Sequence, residues 1–260
     1  MKESSMNPTL ALEARDVAIH YGGVKAVDGV DLTLAPGQIR GLIGPNGAGK
    51  STVIDAITGR RRLTRGQVLL RGEDVTALAV GGRRRRGLSR SFQRTSIFAD
   101  MPVRKQVVLA SELMNREGAQ ADADDILSEL ALTALADVRA ADLGYGQQRR
   151  LDLALALVGR PAVLLLDEPM AGLSVQESRD LAHHLKTLVR RRQVSVLLVE
   201  HDMDVVFGIS DAITVFELGR VIASGDPAAV RADPRVRKAY LGSAASVSYT
   251  HLRAHETSLH

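Results

Sequence analysis

The chain predicts an α/β fold: an open sheet with an antiparallel sheet beside it and a helical segment inserted between two core strands. Three observations predict it. Gly44 to Thr52 is a glycine-rich turn between an apolar run, Ile39 to Ile43, and a helix-compatible segment. Val163 to Leu166 and Val194 to Val199 are continuous apolar runs ending in Asp167-Glu168 and Glu200-His201-Asp202, the pattern of strands covered on both faces. Glu112 to Val138 carries Ile126, Leu127, Leu130, Leu135 and Val138 near helical spacing, with Asp122, Asp124 and Asp125 near its start.

Taken in order, Leu12 to Tyr21 and Val30 to Leu34 show partial strand alternation, and Ile39 to Ile43 leads into the glycine-rich turn. Gly66 to Arg71 reads as a further strand followed by the turn Gly72-Glu73-Asp74. Glu177 to Val189 reads as a crossover helix between the two apolar strands, which brings their polar ends to one edge of the sheet, where open α/β sheets bind ligands. Ala212 to Phe216 and Arg220 to Ala223 form a hairpin around Gly219, and Pro227 to Leu241 reads as small helical turns.

The turn Gly44-Pro45-Asn46-Gly47-Ala48-Gly49-Lys50-Ser51-Thr52 has the spacing of a phosphate-binding loop, and its ligand is a nucleoside triphosphate. Glycines let successive amides face the phosphates, and the following helix adds its positive end. Lys50 is expected to reach the β- and γ-phosphates and Ser51 to offer its hydroxyl to magnesium, with Thr52 packing or capping behind the loop. Asp167 is expected to bind the magnesium directly or through water. Glu168 is the candidate for orienting the attacking water or accepting its proton. His201 shares that edge, where its imidazole can bond the γ-phosphate or fix the water with Glu168.

Composition bounds the alternatives. The 260 residues are enough for a substantial core, no apolar run is long enough to span a bilayer, and there is no cysteine for a disulfide framework. Residues 1–8 lack the apolar stretch of a secretory signal, so a cytoplasmic location is expected. The net charge is +4, with runs at Arg60–Arg62, Arg83–Arg86 and Arg190–Arg192. These are short and separated, without interleaved aromatics, and read as solvated surface rather than a nucleic-acid platform. Residues 243–260 have no apolar periodicity, and His251 and His255, four apart, have nothing beside them to complete a metal site. Ser248 to Thr257 resembles a translated sequencing-adapter read-through, so this tail is expected to be disordered and is excluded from the mechanism.

These motifs, in this order, resemble those of the ATP-binding subunits of ABC transporters. The resemblance adds Gln93, in Ser91-Phe92-Gln93-Arg94, as a sensor of magnesium and γ-phosphate, and the signature Leu143-Gly144-Tyr145-Gly146-Gln147-Gln148-Arg149-Arg150. It also adds the short loop Ala171-Gly172-Leu173-Ser174, and Tyr21 as the aromatic that stacks on adenine. It implies a P-loop NTPase core over residues 10–242, with an antiparallel β subdomain and a helical subdomain at roughly residues 95–157. Lys50, Gln93, Glu168 and His201 would then carry catalysis, and Ser51, Gln93 and Asp167 the magnesium. Tyr21, Gly44, Asn46, Gly47, Gly49, Lys50, Ser51 and Thr52 would hold the subunit's own ATP. Gly144, Gly146 and Gln147, on a helix starting after Gly146, would cap the ATP of a partner ATPase, identical or different.

The tyrosine form of the signature, the run Glu200 to Val206 and the ending Arg237 to Gly242 resemble the branched-chain amino-acid and amide uptake group. That implies membrane permease subunits, docked through Gln93 and residues 95–107, an extracytoplasmic solute-binding protein, and a place on the cytoplasmic face of the membrane. Three positions depart from the family: Gly144 where serine is usual, Leu155 where arginine is usual, and Ser174 where aspartate or asparagine is usual. All three are expected on surfaces that meet the partner, which leaves a low-turnover regulatory subunit as one alternative. A soluble ABC ATPase of DNA repair or translation is the other, and it lacks here the coiled-coil insertion or second nucleotide domain it would normally carry.

Overall fold

The computed structural model describes residues 9–91, 95–114 and 117–243. The chain opens with a hairpin, β1 (Leu12–Tyr21) and β2 (Val24–Leu34). β2 starts six residues before the alternation predicts, because bulges between Ala14 and Val17 and again before His20 break the period of the pair. β3 (Ile39–Ile43) leads into α1 (Lys50–Thr58), followed by β4 (Arg65–Leu70), β5 (Glu73–Asp74), α2 (Val80–Arg85) and β6 (Leu88–Arg90). A helical stretch then intervenes: α3 (Val103–Met114), α4 (Ala119–Glu129), two 3-10 turns at Thr133–Leu135 and Ala140–Asp142, and α5 (Tyr145–Leu157). The chain returns to the sheet as β7 (Val163–Asp167), crosses by α6 (Val175–Arg192) to β8 (Ser195–Val199), and continues through α7 (Met203–Ile209) to the hairpin β9 (Ala212–Glu217) and β10 (Arg220–Gly225). α8 (Pro227–Ala232) and α9 (Pro234–Ser243) follow, so Ser243 closes a helix while the rest of the tail lies outside the described residues.

Two sheets result. The four-stranded antiparallel sheet runs β2-β1-β4-β5, and the six-stranded sheet runs β10-β9-β3-β8-β7-β6, parallel except for β10. Alternate residues of β7 and β8 face opposite cores, as the pleat requires. Leu164, Leu166, Val196 and Leu198 pack with α3–α6, whereas Val163, Leu165, Leu197 and Val199 pack with α1 and the antiparallel sheet. Both faces are therefore covered, which is why these strands read as unbroken apolar runs. Among the described residues, no helix is long and apolar enough to cross a membrane.

The arginine runs are not all solvated surface. Arg83 is 2% exposed, and its guanidinium donates to the carbonyls of Ala56 and Ile57 at the end of α1 and of Thr76 and Leu78. Arg84 donates to Ala156 and Val158 at the end of α5. Both complement the carbonyl ends of helices, a use of cations that needs no run and leaves no periodicity. Arg192 likewise joins α6 to α4 through Glu129 and Asp122.

Candidate active site

The parallel strands bring the predicted residues to one edge. In register, Leu42 of β3 and Asp167 of β7 both lie opposite Val199 of β8, so the glycine-rich loop, Asp167-Glu168 and Glu200-His201 leave adjacent strands at one level. The loop Gly44 to Gly49 is pressed onto its neighbours. A Cβ on Gly44 (φ 155°) would overlap the Phe216 carbonyl oxygen, and one on Gly49 (φ 103°) would lie 2.7 Å from the Ala26 oxygen. Only glycine permits both the backbone and the approach. Gly49 is the N-cap of α1, so the open amides of its first turn surround Lys50, Ser51 and Thr52. Asn46, Gly47 and Ser51 are exposed at the mouth of the loop.

Lys50 lies across the loop, its Nζ donating to Gly44 O at 2.6 Å and Pro45 O at 3.0 Å. Burial pushes its ammonium below the ordinary value, opposed by the nearby carboxylates of Glu168 and Asp167. Asp167 is 3% exposed, with Oδ2 accepting from Arg90 Nη2 at 2.8 Å and Oδ1 buried without a partner among the described residues. An orphaned carboxylate oxygen beside Lys50 fits a divalent cation shared with the Ser51 hydroxyl. Glu168 has the left-handed φ of 51°, rare outside glycine, which turns it away from the line of β7. Gln93 lies outside the described residues.

The His201 side chain is 70% exposed, and its Nδ1 is 3.6 Å from Glu200 Oε2. Glu200 itself is buried, a strand-end acid to which the sequence motifs assign no role. Its carboxyl accepts from Met170 N at 2.7 Å and from His201 N at 3.2 Å, tying the loop after β7 to the loop after β8. Burial raises its pKa. The folded chain thus holds this proton more tightly than the unfolded one, so stability from neutral Glu200 is full below the unfolded value and is lost as pH rises through the folded one. Glu200→Gln does not titrate, and because its amide nitrogen cannot accept, one of the two bonds is lost. It should cost about 1–2 kcal/mol in acid, and the melting-temperature gap to wild type, measured at several pH values, should narrow as pH rises.

Tyr21 ends β1, 47% exposed, with the Arg61 guanidinium 5.9 Å from its ring centroid. The signature lies on α5, a different helix from the α1 that follows the phosphate loop. Helix α5 begins at Tyr145 with Gly144 as N-cap, not after Gly146. Gln147 Oε1 accepts from Gly144 N at 2.9 Å, completing the half of a capping box that a glycine allows. A Cβ on Gly146 would fall 2.5 Å from Glu177 Oε1, so only a glycine lets α5 approach the Glu177 carboxylate this closely. The Glu177 carboxylate accepts from Ser174 N at 2.9 Å and Ser174 Oγ at 2.7 Å, and Ser174 Oγ accepts from Glu177 N at 3.3 Å, which makes Ser174 the N-cap of α6. Tyr145 closes the group, its hydroxyl donating to Ala171 O at 3.2 Å. Leu155 is elsewhere: it lines a cleft of about 220 Å³ with Arg84, Arg90, Ser96 and Asp152, between α2, β6 and α5.

Residues 27–171 match the ABC transporter family, and residues 220–246 match the family described as branched-chain amino acid ATP-binding cassette transporter. The chain is 38% identical over 250 residues to the high-affinity branched-chain amino acid transport ATP-binding protein BraF of Pseudomonas aeruginosa, covering 90% of this chain and 98% of that one. It is 37% identical to the LivG protein of the same description from Escherichia coli K12, with the same coverage. Its fold is similar to the ADP conformation of MJ1267, an ATP-binding cassette of an ABC transporter, with a TM-score of 0.81 and 28% identity over 90% of this chain and 99% of that one.

Proposed function

The chain belongs to the ABC transporter family of ATP-binding subunits, and from that premise we propose that it energises import of branched-chain amino acids or related small solutes. The observation that carries the catalytic part is the convergence of Lys50, Asp167 and Glu168 where β3 and β7 end. The solute class rests on the match of residues 220–246 and on the printed names of BraF and LivG. The reaction is transfer of the γ-phosphoryl group of ATP to water. Lys50 meets the phosphate charge, Ser51 and Asp167 hold magnesium, and Glu168 takes or orients the proton of the attacking water. Magnesium, when bound, supplies positive charge against the phosphate oxygens.

The signature lies beside the loop Ala171 to Ser174 on a helix separate from the phosphate loop, which supports two ATPase subunits arranged head to tail. Each subunit's α5 would face the other's nucleotide. The partner set is a second ATPase subunit of the same or a different kind, integral permease subunits at the membrane, and a binding protein on the far side. The chain itself is peripheral on the cytoplasmic face. The test is reconstitution with the neighbouring permease and ATPase subunits in liposomes, measuring ATP hydrolysis against binding protein loaded with leucine or urea. The expected result is stimulation by leucine-loaded binding protein. Stimulation by urea alone would move the solute class, and stimulation by DNA or ribosomes without permease would overturn the transport reading.

A further inference from the structure

We propose that Arg90 is a positioning residue of the ATPase site, one that fixes the carboxylate of Asp167 for the metal and ties it to the helix that carries Ser51. The inference rests on the ATPase reading above and adds a residue that none of the motifs contains. Arg90 is the last residue of β6, the edge strand that pairs with β7 in parallel, and the pairing runs on through Ser91 N to Leu165 O at 3.0 Å. Its side chain is 10% exposed and forks between two acids: Nη2 donates to Asp167 Oδ2 at 2.8 Å, and Nη1 donates to Asp55 Oδ1.

The fork divides the labour of Asp167. One oxygen is taken by the guanidinium, while Oδ1 is left buried and without a partner among the described residues. Without a partner for Oδ2 the carboxylate would be free to rotate about χ2, which is a soft torsion. A guanidinium with its two ends on separate carboxylates removes that freedom, and an ammonium, a single point of charge, does not hold the two in that fixed planar geometry. Asp55 lies on α1 four residues after Ser51, one helical turn along the same helix. The two metal-facing groups, the Ser51 hydroxyl and the Asp167 carboxylate, are thus joined behind the site through Asp55 and Arg90. Arg90 is also three residues before Gln93, so the clamp sits where the chain leaves the sheet for the helical stretch.

A positional role and a purely electrostatic one have opposite signs. Removing a positive charge next to Asp167 would by itself strengthen cation binding, whereas releasing the carboxylate weakens it. The experiment is Mn2+ titration of the ATP-loaded full chain followed by electron paramagnetic resonance, with metal-free ATP affinity measured in parallel. Arg90→Ala is expected to lower Mn2+ affinity about tenfold and to leave metal-free ATP binding within about twofold. Asp55→Asn frees the far end of the fork and is expected to cost about threefold, and Arg90→Lys should recover less than half of the Arg90→Ala loss. Unchanged or tighter Mn2+ binding in Arg90→Ala overturns the proposal, as does full recovery in Arg90→Lys. Should Arg90→Ala fail to fold, Arg90→Lys decides alone, because it keeps the charge: Mn2+ binding weaker than wild type supports the clamp, and wild-type binding overturns it. A wild-type chain that binds no ATP at all overturns the ATPase reading and the proposal with it, whereas wild-type binding with an indifferent Arg90 overturns the proposal alone.

Discussion

Glu168→Gln is expected to reduce ATP hydrolysis about a thousandfold while leaving ATP affinity within about threefold, because the change removes a base and little else. The backbone there is held independently of the side chain. Glu168 N donates to Val199 O at 2.8 Å, and Glu168 O accepts from Ala171 N at 3.1 Å. Its left-handed φ of 51° costs about 1–3 kcal/mol and persists because these bonds over-determine it. Glutamine keeps the shape and the strain but cannot take a proton from water. Single-turnover phosphate release checks the rate, and titration with a fluorescent ATP analogue checks binding. A parallel loss of both would make Glu168 part of the binding surface rather than the group that acts on water.

Much of this site was legible because its parts are local. The glycine-rich loop declares itself within nine residues, and β7 and β8 announce both their burial and their polar ends within six. The shared edge followed from one topological rule, and the register of Leu42 and Asp167 opposite Val199 agrees with it. What the sequence hid was carried by pairs far apart in the chain. Arg90 meets Asp167 across 77 positions and Asp55 across 35, and a three-residue edge strand has no period to betray it. Glu200 was visible as a strand-end acid, yet its role comes from Met170, thirty positions away. The arginine runs misled for a related reason: a buried guanidinium on helix-end carbonyls has the same local signature as a solvated one. Ser174, a departure from the family in sequence, is in space a helix cap whose hydroxyl is already engaged with Glu177.

Lys50→Ala is expected to lower kcat/KM for ATP by about a hundredfold to a thousandfold, and to do so for two separable reasons. The first is direct, since the ammonium stabilises charge on the transferring phosphoryl group, and Glu168 and Asp167 counter the effect of burial on its protonation. The second concerns the loop before nucleotide arrives. Lys50 Nζ bonds the carbonyls of Gly44 and Pro45, so the lysine holds the cradle closed from within, and its loss should cost about 1–3 kcal/mol of stability without ligand. Arginine cannot substitute, because a planar fork does not fit where one ammonium meets two carbonyls of the same turn. Thermal unfolding with and without ATP separates the contributions. Wild type should melt higher as ATP is added, whereas Lys50→Ala should start lower and respond less. A variant that starts at the wild-type temperature yet ignores ATP would assign Lys50 to the phosphates alone. One that starts lower but still responds fully to ATP would place its main contribution in holding the loop.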